Sequence, residues 1–371
     1  MNSRERVKTS LNHEKVDRVP MDLGGGVSTL TNGAYIELAK HMGIKKPEGE
    51  IGEFKVMEVI DEEILNKLKI DFRHLFLKSP KGWEPKVYDD GTFKDEWGIR
   101  FKDMGYYTEM IGHPLKNANI DDLETFKWPD FTDKSRVEGL KEKAIWLYKN
   151  TDFALATGSV GGRIFEQAQW LRGMQLFLED LILNPDFVNA LMDRLLKLQK
   201  QFFDLYLDSV GDYVDVICMG DDLATQNSLL TSPETFRKMI KPKLAELYSY
   251  VKKKTKAKIM HHSCGAVFPL IGDLIEIGVD ILNPIQPLAK DMNIANIKKI
   301  YGSKICFWGG IDEQKLLPFG SIKDIVNEVE YTIKTLGQNG GYILSPAHNI
   351  QPDVKSENII SLYRIAANYH F

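Results

Sequence analysis

Cysteine is scarce in this chain. Cys218, Cys264 and Cys306 are the only three among 371 residues, an odd number too small for a disulfide framework, so a reducing, cytoplasmic setting is expected. An excess of basic charge is also missing. With 48 Lys and Arg against 52 Asp and Glu the net charge is -4, whereas binding to a phosphate backbone rests on clustered cations, so no nucleic-acid partner is expected. The short basic run Lys252–Lys254, followed by Lys256 and Lys258, reads as the solvated end of a helix. No apolar stretch approaches the roughly 18 residues of a membrane span. The first twenty residues lack the apolar centre of an export signal, so neither export nor a bilayer is expected. There is no Gly-x-Gly-x-x-Gly turn after any strand, which weakens a dinucleotide-binding reading. Internal repeats, linkers and low-complexity tracts are absent too.

What is present suits one large globular unit. Hydrophobic residues make up 43% and charged residues 27%, enough apolar surface for a sizeable core. At this length a (β/α)8 barrel occupies a single domain, here 1–371. The N-terminus predicts a helix capped by Asn2 or Ser3, with Val7, Leu11 and Val16 on one stripe before Pro20 stops it. Helices are expected at 33–42 and 53–68, and the Trp-, Tyr- and Gly-rich stretch from Asp89 to Pro114 reads as hairpins and loops. Residues up to about 130 thus form an N-terminal elaboration covering one end of the barrel. From residue 71 onward, short runs rich in Val, Ile, Leu and Phe alternate with longer helical patterns, the signature of parallel βα units. Strands are predicted at 71–77, 153–159, 213–220, 257–263, 279–285, 303–310 and 342–346. Met21–Gly24 either supplies an eighth or lies outside.

Most of these runs end in small or polar residues: GSVGG (158–162), GDD (220–222), HHSCG (261–265), NPIQ (283–286), GGID (309–312) and SPAHN (345–349). In a barrel all such ends meet at one mouth, whereas an open sheet gathers only those at its switch point. The strongest chemical signal is His262-Ser263-Cys264. With a strand period of two, an imidazole and a thiolate project to the same side, within reach of one zinc-type ion. The competing reading is a core histidine beside an inert thiol. His348, held between Pro346 and Asn349, is the best third ligand, and three ligands with a fourth position open describe a catalytic site. Glu166 is an additional oxygen ligand or a substrate-orienting carboxylate. Asp221 and Asp222, adjacent at a strand end, repel one another, which suits proton handling or cation binding; alternatively one caps the following helix. Gln226, Trp170, Asp312 and Asn349 are expected as substrate contacts at the mouth, where Asp312 and Gln314 alternatively only line the cavity. Trp97, Tyr106, Tyr107, Trp170 and Trp308 can stack on a ring or fill core. Asp71 and Arg73 look like a structural charge pair, and Cys218 and Cys306 like core.

In order and spacing, GSVGGRIFEQAQWLRG, GDDLATQ, MHHSCG, ILNPIQ, FWGGID and GYILSPAHNI resemble the uroporphyrinogen decarboxylase superfamily over essentially the whole chain. They are most similar to its zinc-dependent, corrinoid-linked methyltransferase branch. The resemblance implies a (β/α)8 barrel with a metal at its mouth, ligated by a His-x-Cys pair, matched by His262 and Cys264, and by a third residue near the C-terminus. In methyltransferases acting on coenzyme M that residue is usually a Cys in a Pro-x-Cys-Gly context; here His348 stands there. One thiolate fewer leaves zinc more positive and better suited to an oxygen substrate than to a thiol. The implied activity is transfer of a methyl group from a methoxyaromatic or other small methylated molecule to the Co(I) of a separate corrinoid protein, a step of anaerobic one-carbon metabolism. Two alternatives stand beside it. One is metal-free tetrapyrrole decarboxylation, although the Met-Arg-Gln-Ala-Gly-Arg segment expected of that branch is replaced here by MDLGGGVS. The other is a non-catalytic corrinoid or tetrapyrrole binder.

Overall fold

The computed structural model describes residues 1–52, 55–105 and 107–371. Its centre is a parallel sheet of β1 (Phe72–Leu75), β2 (Ala154–Thr157), β3 (Val216–Gly220), β4 (Lys258–His262), β5 (Ile281–Ile285), β6 (Cys306–Ile311) and β7 (Tyr342–Pro346), hydrogen-bonded in chain order. Helices covering its outer face include Pro185–Val210, Lys241–Lys252 and Ile322–Leu336. Residues on both faces of β2, β3, β5, β6 and β7 are buried. That is why these strands read as continuous apolar runs rather than alternating ones.

The undecided Met21–Gly24 segment closes the ring. Leu344 N–H donates to the Pro20 carbonyl and Asp22 N–H to the Leu344 carbonyl, both at 2.9 Å, while Asp71 N–H donates to the Met21 carbonyl at 2.9 Å. The segment therefore sits between β7 and β1 in the eighth position of an α/β (β/α)8 barrel. Pro20 and the following glycines hide it from a search for apolar runs.

Alternate strand positions fill the interior. Phe72, Ala154, Ala156, Val216, Cys218, Met260, Ile281, Cys306, Trp308 and Ile343 form one buried cluster, with the Phe72 and Trp308 rings 4.8 Å apart. Cys218, Cys306 and Trp308 are thus core, and burial pushes both thiols up to about 12. Val7 and Leu11 of helix Ser3–Leu11 join this cluster. Each contributes about 1.5–3 kcal/mol as a fully buried aliphatic side chain. Asn2 caps this helix in a capping box with Glu5, and Ser10 ties it to β7 by donating to the Tyr342 carbonyl at 2.9 Å. The helix ends at Leu11, and His13 turns the chain with φ of 58°. Val16, expected on the same stripe, is buried outside the helix.

Other expectations shift. Helix 33–42 appears as Asn32–His41. The start of the expected helix 53–68 lies outside the described residues. Met57–Val59 is a strand paired with Glu50–Ile51, and only Glu62–Lys67 is helical, capped by the Asp61 carboxylate. The two Val at 56 and 59 favour the extended chain, and Asp61 starts the helix late. The hairpin-like stretch folds as a four-stranded antiparallel sheet, Lys86–Val87, Phe93–Lys94, Arg100–Asp103 and Thr108–Gly112. Asp71 and Arg73 do not pair with each other. Adjacent strand residues two apart share a face, but longer partners reach each first: Asp71 is gripped by Arg6 and Arg18 at 2.8 Å, and Arg73 by Glu62. No helix among the described residues is long and apolar enough to cross a membrane.

Candidate metal centre

β4 carries the first candidate ligand. Met260 points into the barrel interior, and two positions on His262 points the same way at the strand's C-terminal end. Cys264 follows where the chain leaves the sheet. Gly265 then turns with φ of +86°, and a side chain there would run into the Thr225 carbonyl, so glycine is required. Its N–H is received by Gln286 Oε1 at 2.8 Å, which anchors the loop to the end of β5.

His348 arrives from the end of β7. The ligating atoms of His262, Cys264 and His348 all lie within 4.8 Å of one another, and the two imidazole rings are 5.9 Å apart at 60°. Cys264 Sγ is 3.4 Å from His262 Nε2, close to the roughly 3.5 Å that nitrogen and sulfur span around a tetrahedral zinc. His262 Nδ1 donates to Asn283 Oδ1 at 2.6 Å. Because an amide oxygen only accepts, this bond fixes the proton on Nδ1 and leaves the Nε2 lone pair facing Cys264. Asn283 is paired with His262 in the β4–β5 register and is fully buried.

The electrostatics agree with this donor set. Burial pulls the pKa of His262 down and that of His348 to about 4, keeping both imidazoles in the neutral, ligating form. Burial pushes the Cys264 thiol well up, and the carboxylates of Asp222, Glu166 and Glu313 add to this. A thiolate there therefore calls for a cation. Two neutral imidazoles and a thiolate fit a zinc-type ion with one coordination position left for substrate.

Asp222 Oδ1 accepts the Cys264 N–H at 2.8 Å and lies 3.9 Å from His262 Nε2, so it shapes the ligand loop directly. Asp221 has another role. Its carboxylate accepts the N–H groups of Ile164, Phe165 and Glu166 at 3.2, 2.8 and 2.6 Å, capping helix Phe165–Arg172. The capped helix precedes Asp221 in sequence, where the following one was the expected alternative. Burial pushes Asp221 up to about 7 against those three hydrogen bonds. Glu166, on the first turn of that helix, is pushed to about 8 by burial and by Asp222 and Asp221, with Arg163 opposing at 3.3 Å.

The remaining candidates scatter. Asp312 is occupied by the N–H groups of Gln314, Lys315 and Leu316 at 2.8–3.1 Å. Asn349 binds Thr29 N–H at 3.0 Å, tying the glycine-rich loop to the end of β7. Gln226 is exposed and bonds Gln314 at 3.4 Å. Trp170 lies under the Arg163 guanidinium at 5.0 Å. Trp97 packs on Phe131 with ring centroids 5.8 Å apart, Tyr107 is exposed, and Tyr106 lies outside the described residues. Asn283, Gln286 and Arg163 escaped the sequence reading. Asn283 had a signal, since it lies in the NPIQ strand end and barrel register sets it opposite His262.

Comparison with known proteins adds to this geometry. A search of curated proteins gives no match. Among solved structures, a methyltransferase from Methanosarcina mazei is similar in fold, with 19% identity over 99% of this chain and 98% of its own and a TM-score of 0.66. A GH113 beta-1,4-mannanase reaches a TM-score of only 0.39 at 8% identity, over 95% of this chain and 100% of its own. The model of the family described as uroporphyrinogen decarboxylase (URO-D) matches residues 107–369, the span that holds all three candidate ligands and six of the seven sheet strands. The chain belongs to the uroporphyrinogen decarboxylase family.

Proposed function

We propose that this chain is a zinc-dependent methyltransferase of the corrinoid-linked branch, moving a methyl group from a small O-methylated substrate, such as a methoxyaromatic, to the Co(I) of a corrinoid protein. The observation that carries the reading is the convergence of His262, Cys264 and His348 within 4.8 Å at the mouth of the barrel. The fold likeness to a protein described as a methyltransferase supports it. A zinc ion held by these residues would supply Lewis acidity, drawing negative charge from the ether oxygen as its bond to the methyl carbon breaks.

The chain's own residues do the rest. Asn283 holds His262 with Nε2 presented to the site. Asp222 holds the Cys264 backbone, and with its side chain one-third exposed it faces the mouth, where it can orient the substrate. Glu166, protonated near neutrality by its burial, is the group that can return a proton to the departing alcohol or phenol. Asp221 positions Glu166 by capping the first turn of its helix rather than by touching substrate.

The test is methyl transfer from a panel of methoxyaromatics to cob(I)alamin, followed by cobalamin absorbance, with zinc-loaded and zinc-stripped protein. The reading expects transfer that needs zinc. Decarboxylation of a tetrapyrrole by the stripped chain would support the decarboxylase alternative, and corrinoid binding without turnover would support the binder.

A further inference from the structure

Beside the metal ligands lies a cleft of about 250 Å³, bounded by the ends of β1 and β2 and by the antiparallel sheet. We propose that it is the substrate pocket and that the substrate is a flat, single-ring aromatic bearing an anionic group; that it carries the transferable methyl rests on the reading above. Gly220 stands between the cleft wall and His262. A Cβ placed on Gly220 would lie 2.9 Å from His262 Cβ and 3.2 Å from Val160 Cγ1, and Val160 forms part of the cleft wall.

Its walls are aromatic, and the GSVGG strand end is shaped to make them so. A side chain on Gly158 would enter the Phe76 ring, and one on Gly161 would meet the rings of Phe202 and Phe203. Phe76 and Phe202 therefore lie directly against the backbone, and Trp97 adds a third ring. Flat surfaces of this kind favour an aromatic ligand. The volume falls below the roughly 300–1,000 Å³ of pockets for drug-sized molecules, which confines the ligand to one ring with small substituents.

The polar groups select a negative charge. The Arg163 guanidinium has one ionic partner among the described residues, Glu166, met through Nε at 3.3 Å; both Nη groups are left as a fork that matches a carboxylate. Arg136, by contrast, is spent on Glu96 through both Nη groups. Lys78 adds a cation whose ammonium donates to the Glu138 carbonyl, and Glu58 also lies on the lining. Gln167, only 3% exposed, carries a buried side-chain N–H group without a partner. An unpartnered buried donor costs about 1–3 kcal/mol, a cost that a ligand oxygen in the cleft removes.

Equilibrium binding to the whole chain, zinc-loaded and zinc-stripped, tests this by tryptophan fluorescence and calorimetry. The probes are 4-methoxybenzoate, its neutral methyl ester, 4-methoxybenzylamine and hexanoate. The benzoate is expected to bind at least about tenfold tighter than the other three, as a charge-assisted bidentate pair on a ring slot should give. Arg163→Met should reduce that preference to about threefold or less, and Arg163→Lys should restore part of it. Ester or amine binding as tightly as the benzoate overturns the anionic assignment, hexanoate doing so overturns the ring, and no binding at all overturns the pocket. The parent chain alone decides these outcomes if a variant fails to fold. Preference for the benzoate without methyl transfer sinks the methyltransferase reading and leaves the pocket; transfer from neutral arenes with no preference does the reverse.

Discussion

Replacing Asn283 with alanine removes the side-chain oxygen that receives the His262 Nδ1–H. The bond is short, 2.6 Å, and Asn283 is fully buried. Leaving that N–H unpaired costs about 1–3 kcal/mol, and the ring is freed to turn or to move its proton to the ligating nitrogen. Partners of this kind typically change metal affinity by about 10- to 100-fold, or roughly 1.4–2.7 kcal/mol at 1.36 kcal/mol per decade. Zinc affinity of Asn283→Ala, measured by competition with a coloured chelator at neutral pH, is expected to fall by that factor. Asn283→Asp keeps an acceptor at the same atom and should retain the parent affinity. An alanine variant within about twofold of the parent would refute the assignment of His262 Nε2 as the ligating atom.

Two further outcomes follow from the polar contacts. Asp221→Ala strands three backbone donors at the start of helix Phe165–Arg172, and chemical denaturation should show a loss of about 1–3 kcal/mol; stability unchanged alongside lost activity would instead make Asp221 a catalytic group. Arg6 holds the Asp17 carboxyl below its ordinary value of 3.8. A depressed folded pKa means the unfolded chain binds the proton first, so this stabilisation is full above the ordinary carboxylate range and is lost as pH falls below it. The stability difference between parent and Asp17→Asn should accordingly shrink on acidification, and a difference that grows would contradict the pairing.

The barrel was legible because its strands are buried on both faces and leave unbroken apolar runs, each ending in small or polar residues. The eighth position was not, since Met21–Gly24 is held by backbone hydrogen bonds to β7 and β1 that leave no apolar signature. Met57–Val59 was mistaken for helix because its apolar residues also fit a helical stripe, and only pairing with Glu50–Ile51 decides between the two. At the candidate site, a period of two suggested His262 and Cys264, of which His262 ends β4 and Cys264 lies just beyond it. Asn283 acts across strands, through the β4–β5 register, which linear spacing does not encode. Asp221 and Asp312 looked like site residues because carboxylates at strand ends meet a mouth and a helix N-terminus alike. The structure gives both of them helix N–H groups.

The most direct measurement is the zinc content of the purified chain beside the His262→Ala/Cys264→Ala double variant and His348→Ala, each checked for folding by circular dichroism. A folded parent with about one zinc per chain, a double variant with none and a weakened His348→Ala are the predicted results. Stoichiometric zinc retained by the folded double variant would show that the ion sits elsewhere and that the three side chains meeting at the barrel mouth are not its ligands.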